Sequence, residues 1–319
     1  MPDDMIPLTL SDVDEKWLTD VLRKKELLQQ EEVVGVENKV VGEGAGFLGD
    51  IVLLYLTYSS KPVRAPASMV LKIPTATDNR HVGQTLGVYE REIRFYRELA
   101  PHLDIRTPVH IHSEMELVTD PEETIRMLTW LNRMPLWLIR SALPMLNWVS
   151  SRNIYSYVLL IENLEGYRIG DQVEGCSQEE AARVVSTMAA MHAQFWDSPK
   201  LDDYPWLISM DLAPRPFHVM FVQAIDAFKA AHRSWLTPRH LTILDWLKEN
   251  YLTLAGQLSG LPETLIHGDF RLDNLCFDDE RGEVIVFDWQ TLGRGAGGID
   301  LAYFLSALPD ERDVDQLIE

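Results

Sequence analysis

The chain has 319 residues, of which 46% are hydrophobic, so it can form one large domain or two modest domains with a sizeable core. Its formal charge of −20 and its pI of about 4.8 argue against nucleic acid as a partner, because binding to a phosphate backbone requires clustered Lys and Arg. The two cysteines, Cys176 and Cys276, are far apart and have no metal-site spacing, so we expect no disulfide framework and a reducing, cytoplasmic location.

The N-terminus starts with acidic residues and contains no apolar run of signal-peptide type, so we expect no signal peptide. Residues 8–30 follow with the apolar spacing of an amphipathic helix. Ser11 is the expected N-cap of this helix, because Asp14 stands three positions later as in a capping box.

Residues 33–58 have the composition of two strands joined by a segment in which Gly44, Gly46 and Gly49 satisfy G-x-G-x-x-G. A dinucleotide-binding fingerprint opens a helix, whereas these glycines link two strands. The pattern therefore fits a loop whose backbone approaches phosphates closely. A glycine-rich hairpin turn fits this segment equally well.

The sequence SMVLKI at residues 68–73 predicts the next strand, with Lys72 on the face opposite three apolar residues. A lysine in an apolar strand is costly to bury without an acidic partner, so Lys72 lies at an edge or is paired. Helical spacing over about 82–99 places Glu92 on an inward-facing apolar stripe. The alternative is that Glu92 is a surface acid beside two arginines.

A Trp- and Met-rich insertion covers about residues 114–152. Arginines and prolines interrupt it, so we expect no transmembrane segment and instead predict a pair of short helices packed on the body. A helical hairpin that extends the N-terminal half is one interpretation, and a lid over an acceptor site or a dimer contact are the others. The sequence leaves the oligomeric state open.

The apolar strand at residues 157–161 is followed by Glu162, Asn163 and Leu164, and then by Glu165-Gly166. A strand, a short polar connector and a glycine suit a hinge, so we place the division between two lobes here, with an N-lobe at 1–162 and a C-lobe at 163–319. A helix capped by Ser177 follows, and we interpret His192 on that helix as structural. Further helices are predicted at about 217–231 and 238–254.

Residues 265–289 read LIHGDFRLDNLCFDDERGEVIVFDW. Four residues separate Asp269 from Asn274, and Asp288 follows fourteen positions after Asn274 at the end of an apolar run. A turn at Gly282 makes this segment a hairpin whose two ends bring Asn274 and Asp288 together. Two such oxygen ligands suit Mg²⁺, which is seldom caged wholly by protein, and Asp269 is left to orient a hydroxyl.

This block, H-G-D-x-x-x-x-N followed by D-W-Q, resembles the corresponding segments of the kinase-like small-molecule phosphotransferases, as does the GAGGIDLAYFL at 295–305. These are the aminoglycoside phosphotransferase, choline kinase and ecdysteroid-kinase-like families. The resemblance implies an α+β, bilobal protein-kinase-like fold, with a small antiparallel-sheet N-lobe and a mainly helical C-lobe. It also implies transfer of the γ-phosphoryl of ATP, with Mg²⁺, to a hydroxyl of a small molecule.

The resemblance also assigns roles to individual residues. It implies that Asp269 is the catalytic base and that Asn274 and Asp288 hold Mg²⁺. It further implies that Lys72 contacts the α- and β-phosphates and is paired with a glutamate on the following helix, for which we take Glu92.

The remaining assignments concern the edges of the site. The backbone of the connector Glu162-Asn163-Leu164 is expected to face the adenine. Asp300 is expected to brace the catalytic loop without binding a ligand. Arg271 either stabilises developing charge beside Asp269 or is a surface loop residue, and both interpretations remain open.

Only twelve positions separate Asp288 from Asp300, which leaves no room for the peptide-holding segment of protein kinases and favours a small hydroxylated acceptor. The Trp and Met content of the insertion leans towards a lipophilic acceptor, whereas an antibiotic kinase needs an acidic pocket. A nucleotide-binding pseudokinase or scaffold is the rival from another class. Relatives usually continue with further helices, and the sequence leaves open whether the chain is truncated after Glu319 and lacks part of the acceptor site.

Overall fold

The computed structural model describes residues 6–41, 49–74, 79–116, 119–150, 155–209, 211–306 and 308. Its first long element is helix α1 (Glu15–Lys24), which is shorter than the predicted helix at 8–30. Asp14 caps α1 by accepting a hydrogen bond from the Trp17 N–H, so the predicted cap at Ser11 was wrong. The chain before α1 forms a 3₁₀ turn at Leu10–Asp12, which delays the start of the helix.

The N-terminal half is built on an antiparallel sheet with the strand order β1-β2-β3-β5-β4. The strands are β1 (Val33–Val41), β2 (Gly49–Tyr58), β3 (Ser68–Pro74), β4 (His110–Met115) and β5 (Tyr157–Glu162). The predicted alternation in β3 is confirmed, since Met69, Leu71 and Ile73 are buried on one face and Lys72 lies on the other. The buried face packs against α1 and forms one of two hydrophobic clusters.

The helix predicted at 82–99 is broken into three pieces. Helix α2 (Asn79–Thr85) ends before Gly87, which has φ 66°, and α3 (Val88–Arg94) begins immediately after it. A π-helical turn at Phe95–Leu99 continues α3. A left-handed residue cannot continue an α-helix, so Gly87 sets the start of the helix that carries Glu92.

The insertion forms α4 (Pro121–Asn132) and α5 (Leu136–Ser150), which confirms the predicted pair of short helices. The C-terminal half that follows is mainly helical, with short strands around the 265–289 block. Its elements are β6 (Arg168–Ile169), α6 (Gln178–Phe195), α7 (Pro214–Ala231), α8 (Pro238–Leu258), β7 (Glu263–Ile266), β8 (Leu275–Asp278), β9 (Glu283–Val286), β10 (Gly293–Ala296) and α9 (Gly298–Ser306). The predicted helices and the Ser177 capping box of α6 are confirmed.

The insertion helices, α4 and α5, contact both halves of the molecule. Both helices pack on α7, and α5 also packs on α2. The backbone N–H of Arg215 at the start of α7 donates to Asn132 Oδ1 at 3.0 Å, and its Nε donates to the Met134 carbonyl at 3.1 Å. Among the helices that the structure describes, none is both long and apolar enough to cross a bilayer.

The second hydrophobic cluster joins the two halves. It includes α3, the other face of β5, α6 and the strands of the 265–289 block. Phe95 and Trp289 stack within it with ring centroids 4.0 Å apart and an interplanar angle of 12°. A five-stranded antiparallel sheet followed by a mainly helical half is the predicted α+β, kinase-like arrangement.

Candidate active site

Lys72 lies between two acids that come from different parts of the chain. Its Nζ is 2.6 Å from Glu92 Oε1 on α3 and 2.8 Å from Asp288 Oδ1 after β9. The predicted pairing of Lys72 with Glu92 is therefore present, and Glu92 is 3% exposed rather than a surface acid. Strand β3 points Lys72 away from the α1 side of the sheet, which is why its ammonium meets α3 and the end of β9.

Lys72 and Asp288 stabilise each other's charge, whereas burial raises the pKa of Glu92 despite its ion pair with Lys72. Burial alone lowers the pKa of Lys72, but the Asp288 and Glu92 carboxylates outweigh burial and raise this pKa above its usual value. Burial alone raises the pKa of Asp288, yet the Lys72 ammonium holds it below its usual range. Lys72 is thus a cation and Asp288 an anion at neutral pH.

Asp288 adopts the left-handed conformation, with φ 64° and ψ 62°. A non-glycine residue rarely adopts this conformation, and such positions cluster at functional sites. The residues after it are fixed on α3, because Arg91 donates to the Gln290 carbonyl at 3.0 Å and Gln290 Nε2 donates to Glu92 Oε2 at 3.4 Å. The turn thereby holds the Asp288 carboxylate against Lys72.

Hydrogen bonds to the Asp300 side chain anchor the loop that carries Asp269. The fully buried Asp300 carboxylate accepts the backbone N–H of His267 at 2.9 Å and of Gly268 at 2.8 Å, so the predicted bracing contact is present. His192 Nε2 lies 3.1 Å from the same carboxylate, which agrees with its structural interpretation. Gly268 has φ 79°, a conformation that favours glycine and turns the chain towards Asp269.

The ring of His267 connects this loop to the end of β9. Its Nε2 donates to the Phe287 carbonyl at 3.0 Å, and its Nδ1 accepts the backbone N–H of Asp269 at 3.3 Å. The ring is fully buried and makes an edge contact with Trp289. His267 therefore fixes the spacing between the Asp269 loop and the Asp288 turn, and both of its nitrogens are used for that purpose.

Asn274 is hydrogen-bonded to Asp269 through its side chain and to Phe287, the residue before Asp288, through its backbone. Its Nδ2 donates to the backbone carbonyl and to Oδ2 of Asp269, each at 2.9 Å. The backbone carbonyl of Asn274 accepts the N–H of Phe287 at 3.1 Å. The predicted hairpin of β8 and β9 is present, and Gly282 turns it with φ 71°. Asp269, Asn274 and Asp288 thus meet at the open end of the hairpin.

Two further side chains belong to the surroundings of Asp269. Arg271 was predicted from the sequence, and Tyr303 was not. Arg271 Nε lies 3.4 Å from Asp269 Oδ1, its Nη1 lies 3.5 Å from Asp273 Oδ2, and its side chain is 40% exposed. Burial and the nearby Asp269 carboxylate raise the pKa of the phenol of Tyr303, which lies on α9 one helical turn after Asp300.

Hydrogen bonds to other parts of the chain hold the connector that follows β5. Both carboxylate oxygens of Glu162 accept from Arg106 Nη2, at 2.6 and 2.8 Å, and Asn163 Nδ2 donates to Ser68 Oγ at 3.1 Å. The Leu164 carbonyl accepts the N–H of Tyr167 at 2.9 Å. Lys72 pairs with Leu159, three residues before Glu162 on β5, so the connector lies about 10 Å along the strand from the Lys72 position.

Of the three glycines in the G-x-G-x-x-G segment, the structure describes only Gly49. Gly44 and Gly46 lie outside the described residues. Gly49 starts β2, where a Cβ atom would lie 3.2 Å from the Ile73 carbonyl oxygen. The strands on either side, β1 and β2, are antiparallel neighbours as predicted.

Comparison with known proteins decides the family. A model of the phosphotransferase enzyme family matches residues 62–319, which is most of the chain. The chain belongs to this phosphotransferase family. The match confirms the predicted resemblance to kinase-like small-molecule phosphotransferases and the predicted enzyme class.

Solved structures of similar overall fold include an aminoglycoside-3′-phosphotransferase of type VIII, at 19% identity, covering 92% of this chain and 84% of that one, with a TM-score of 0.46. A macrolide 2′-phosphotransferase from Brachybacterium faecium is 17% identical, covers 94% and 80% of the two chains and has a TM-score of 0.47. Choline kinase from Streptococcus pneumoniae is 11% identical, covers 95% and 78% and has a TM-score of 0.46. Identities this low say nothing about the acceptor of this phosphotransferase.

Two curated proteins match shorter stretches. A probable acyl-CoA dehydrogenase of Arabidopsis thaliana is 37% identical over 67 residues, which is 21% of this chain and 8% of that protein. Acyl-CoA dehydrogenase family member 10 of Mus musculus is 54% identical over 41 residues, which is 12% and 4%. The phosphotransferase chain therefore matches less than a tenth of the length of these relatives.

Proposed function

We propose that this phosphotransferase moves the γ-phosphoryl group of ATP to a hydroxyl of a small molecule. One observation carries the proposal. The ion pairs of Lys72 with Glu92 and Asp288, and the hydrogen bonds of Asn274 to Asp269, provide a cation, an amide and three acids in the candidate site. Phosphoryl transfer needs little covalent chemistry from the protein, so a fixed set of charges and a base supply most of what it requires.

In the proposed reaction, Lys72 binds the phosphates of ATP and Glu92 keeps the lysine in place. The acceptor hydroxyl oxygen bonds to the γ-phosphorus while the bond from that phosphorus to the β–γ bridging oxygen breaks, and ADP leaves. The hydroxyl proton passes to the carboxylate of Asp269, whose orientation is set by the Nδ2 of Asn274. Arg271, beside Asp269, offsets negative charge that develops near the acceptor.

The side chains fit a magnesium ion that binds together with ATP. Because Asn274 donates both of its described hydrogen bonds through Nδ2, its side-chain oxygen is left as an acceptor, and Asp288 keeps its second carboxylate oxygen beyond the one paired with Lys72. Among the described residues, no three His, Cys, Asp or Glu side chains form a metal-binding group. That agrees with Mg²⁺ held by one or two protein oxygens plus phosphates and water. The bound ion would neutralise phosphate charge.

The acceptor is a small hydroxylated molecule in this proposal. Between Asp288 and Asp300 the chain makes only a 3₁₀ turn and the short strand β10 before α9, so no long segment is present to hold a peptide. Exposed Trp130 and Trp137 on the insertion helices and the acyl-CoA dehydrogenase relatives support including acceptors with an apolar body. Antibiotic acceptors are included as the alternative acceptor class that the sequence left open.

The test is ADP release from Mg·ATP with kanamycin, erythromycin, choline, cholesterol, 3-hydroxybutyrate and 12-hydroxydodecanoate as acceptors. Asp269→Ala is the blank, because it removes the proposed base and leaves Lys72 and Asp288 in place. Turnover with one acceptor class that the blank lacks supports the function and names the class. ATP binding with no turnover on any of the six acceptors favours a nucleotide-binding pseudokinase instead.

A further inference from the structure

We propose that the outer faces of the insertion helices α4 and α5 form a docking surface for an anionic phospholipid bilayer. This arginine–tryptophan surface consists of Arg126, Trp130 and Arg133 on α4 and its C-terminal end, and of Trp137 and Arg140 on α5. None of these residues belongs to the candidate active site, so the inference is independent of the proposed phosphoryl transfer.

Charge is distributed unevenly between the insertion and the rest of the chain. The whole chain has a formal charge of −20, whereas residues 124–161 contain four arginines and no Asp, Glu or Lys. Three of these arginines, Arg126, Arg133 and Arg140, are exposed on the described parts of α4 and α5. A cationic surface on a strongly acidic protein attracts an anionic partner to that side, because the remaining surface repels it. The charge therefore selects both the partner and its orientation.

The arginines of this surface are not neutralised by close ion pairs. Arg126 lies 3.9 Å from Glu123, and both side chains are more than 70% exposed, so this pair is weak. The pKa of Asp226 is lowered chiefly by its hydrogen bond from Lys248, and Arg140 contributes least. Within the described part of the chain, Arg133 and Arg140 have no acid within ion-pair distance. Their charges therefore remain available to a partner.

The inner faces of the two helices hold the arginine–tryptophan surface in place. Leu131 and Ile139 are 5% and 0% exposed, and both helices pack on α7. Arg215 at the start of α7 fixes the bend between the helices through its hydrogen bonds to Asn132 and to the Met134 carbonyl. The surface is thus carried by helices that are bound to the body on their other side, and it needs no folding step before it meets a partner.

The two indoles favour a bilayer over a folded protein as the partner. Trp130 and Trp137 are 60% and 69% exposed, so they project from the surface. Trp130 stands four positions after Arg126 and three before Arg133, so indole and guanidinium groups share one face of α4. This combination suits the headgroup layer of a membrane, where indoles enter the interface and basic side chains meet lipid phosphates. A folded protein needs a matching cavity for each projecting indole, whereas lipid headgroups rearrange around it.

The experiment is flotation of the full chain with two kinds of vesicle. One kind is phosphatidylcholine with about 30% phosphatidylserine, and the other is phosphatidylcholine alone. The insertion variant removes three charges of the surface, and a control variant removes three exposed charges elsewhere, so both have the same net charge. The insertion variant is Arg126→Gln/Arg133→Gln/Arg140→Gln, and the control variant is Lys61→Gln/Arg64→Gln/Arg281→Gln.

We expect the wild type to bind the vesicles that contain phosphatidylserine and not those of phosphatidylcholine alone. Each basic residue near an anionic surface changes partitioning about fivefold, so the insertion variant should bind about a hundredfold more weakly. The control variant should stay within about threefold of the wild type, because its substitutions lie away from the contact. Raising the salt concentration should weaken wild-type binding, since it screens exposed charges. All six substituted residues are exposed, so the melting temperatures should match.

Binding to phosphatidylserine vesicles that is lost in the insertion variant alone supports the proposal. Equal losses in the two variants, equal wild-type binding to the two kinds of vesicle, or no binding to either kind overturns it. Sedimentation velocity covers the rival partner. If the wild type binds no vesicles but forms a concentration-dependent dimer that the insertion variant lacks, the surface belongs to a second copy of the chain and the proposal is wrong. The phosphotransferase function is tested separately by ADP release, and none of these outcomes affects it.

Discussion

Lys72 and Asp288 are 216 positions apart in the chain, and Lys72 Nζ lies 2.8 Å from Asp288 Oδ1. The same Nζ is bonded to Glu92, so one ammonium joins the sheet, α3 and the turn after β9. This contact connects the two halves of the molecule at the point where nucleotide phosphates are proposed to bind. It makes Lys72 important for stability as well as for phosphate binding.

Lys72→Met is expected to destabilise the folded chain by about 3 kcal/mol, because Glu92 and Asp288 would lose a buried counter-charge. It should also abolish turnover with Mg·ATP. Urea denaturation monitored by tryptophan fluorescence measures the first effect. Lys229→Met is the control, because Lys229 pairs with Asp245, which is 60% exposed, and should change stability by less than about 1 kcal/mol. Equal midpoints for the two variants would contradict the expectation.

Asp300→Asn is expected to lower the free energy of unfolding by about 2 kcal/mol or more. The neutral amide retains one oxygen for two backbone N–H groups, and its NH₂ is then turned towards a donor in a fully buried site. Hydrogen exchange of the His267 and Gly268 amides reports the change directly and should become faster. Asp226→Asn, at an exposed ion pair with Lys248, is the matched control, and unchanged exchange in Asp300→Asn would refute the bracing role.

Gly170→Ala tests the packing under the catalytic loop. A Cβ atom at position 170 would overlap the carbonyl oxygen of Leu272, so we expect the loop to shift and stability to fall by about 1–3 kcal/mol. At Gly166 a Cβ atom meets nothing within 4 Å, so Gly166→Ala is the control. Thermal unfolding and kcat are the measurements. Wild-type values of both in Gly170→Ala would show that the loop accommodates the methyl group without cost.

The buried His112 on β4 makes stability depend on pH. Burial, followed by the charges of Lys25, His110 and Arg97, lowers the pKa of His112 to about 4, from an ordinary value of about 6.5. Glu114 Oε1 lies 3.3 Å from its Nε2, and the lowered pKa is reached despite this carboxylate. The unfolded chain binds the proton more readily, so the contribution of His112 is present above pH 6.5 and is lost as the pH falls towards 4.

The corresponding measurement is the free energy of unfolding at pH 7.5 and pH 5.0 for the wild type and His112→Gln. The wild type should lose about 2 kcal/mol more than the variant over this interval, since one pKa unit corresponds to about 1.4 kcal/mol. His110 has a similarly lowered pKa of about 4, so some pH dependence should persist in His112→Gln. Identical slopes in the two proteins would exclude His112 as a source.

The β8–β9 hairpin and the pairing of Lys72 with Glu92 were predicted more accurately than the boundaries of the elements. Asn274 and Asp288 were placed together because an apolar strand and a glycine turn indicate a hairpin, and hairpin ends are close by geometry. The family resemblance implied that Lys72 pairs with a glutamate on the following helix, and helical spacing selected Glu92. By contrast, Gly87 breaks the helix without disturbing that spacing, because a glycine inside a helical pattern leaves the apolar periodicity intact.

Local sequence patterns did not predict the contacts between distant segments. The use of both Glu162 carboxylate oxygens by Arg106 and the contact of Gln290 with Glu92 each join residues that no spacing rule relates. The place of the insertion helices was left open for the same reason. The sequence predicted a pair of short helices in the insertion. Only the fold shows that they pack on α7 and that α5 also packs on α2.

The two attachments of β5 have a mechanical consequence. One end of the strand leads through Glu162 into the connector, and its other end follows the insertion helices, which pack on α7 of the C-terminal half. If the N-terminal and C-terminal halves were joined at one edge, they could swing freely about it. Because they are joined at two separated edges, they can only rotate about the line through both edges. We therefore expect small-angle twisting rather than wide opening during turnover, so that substrates enter and products leave through a passage of nearly constant width.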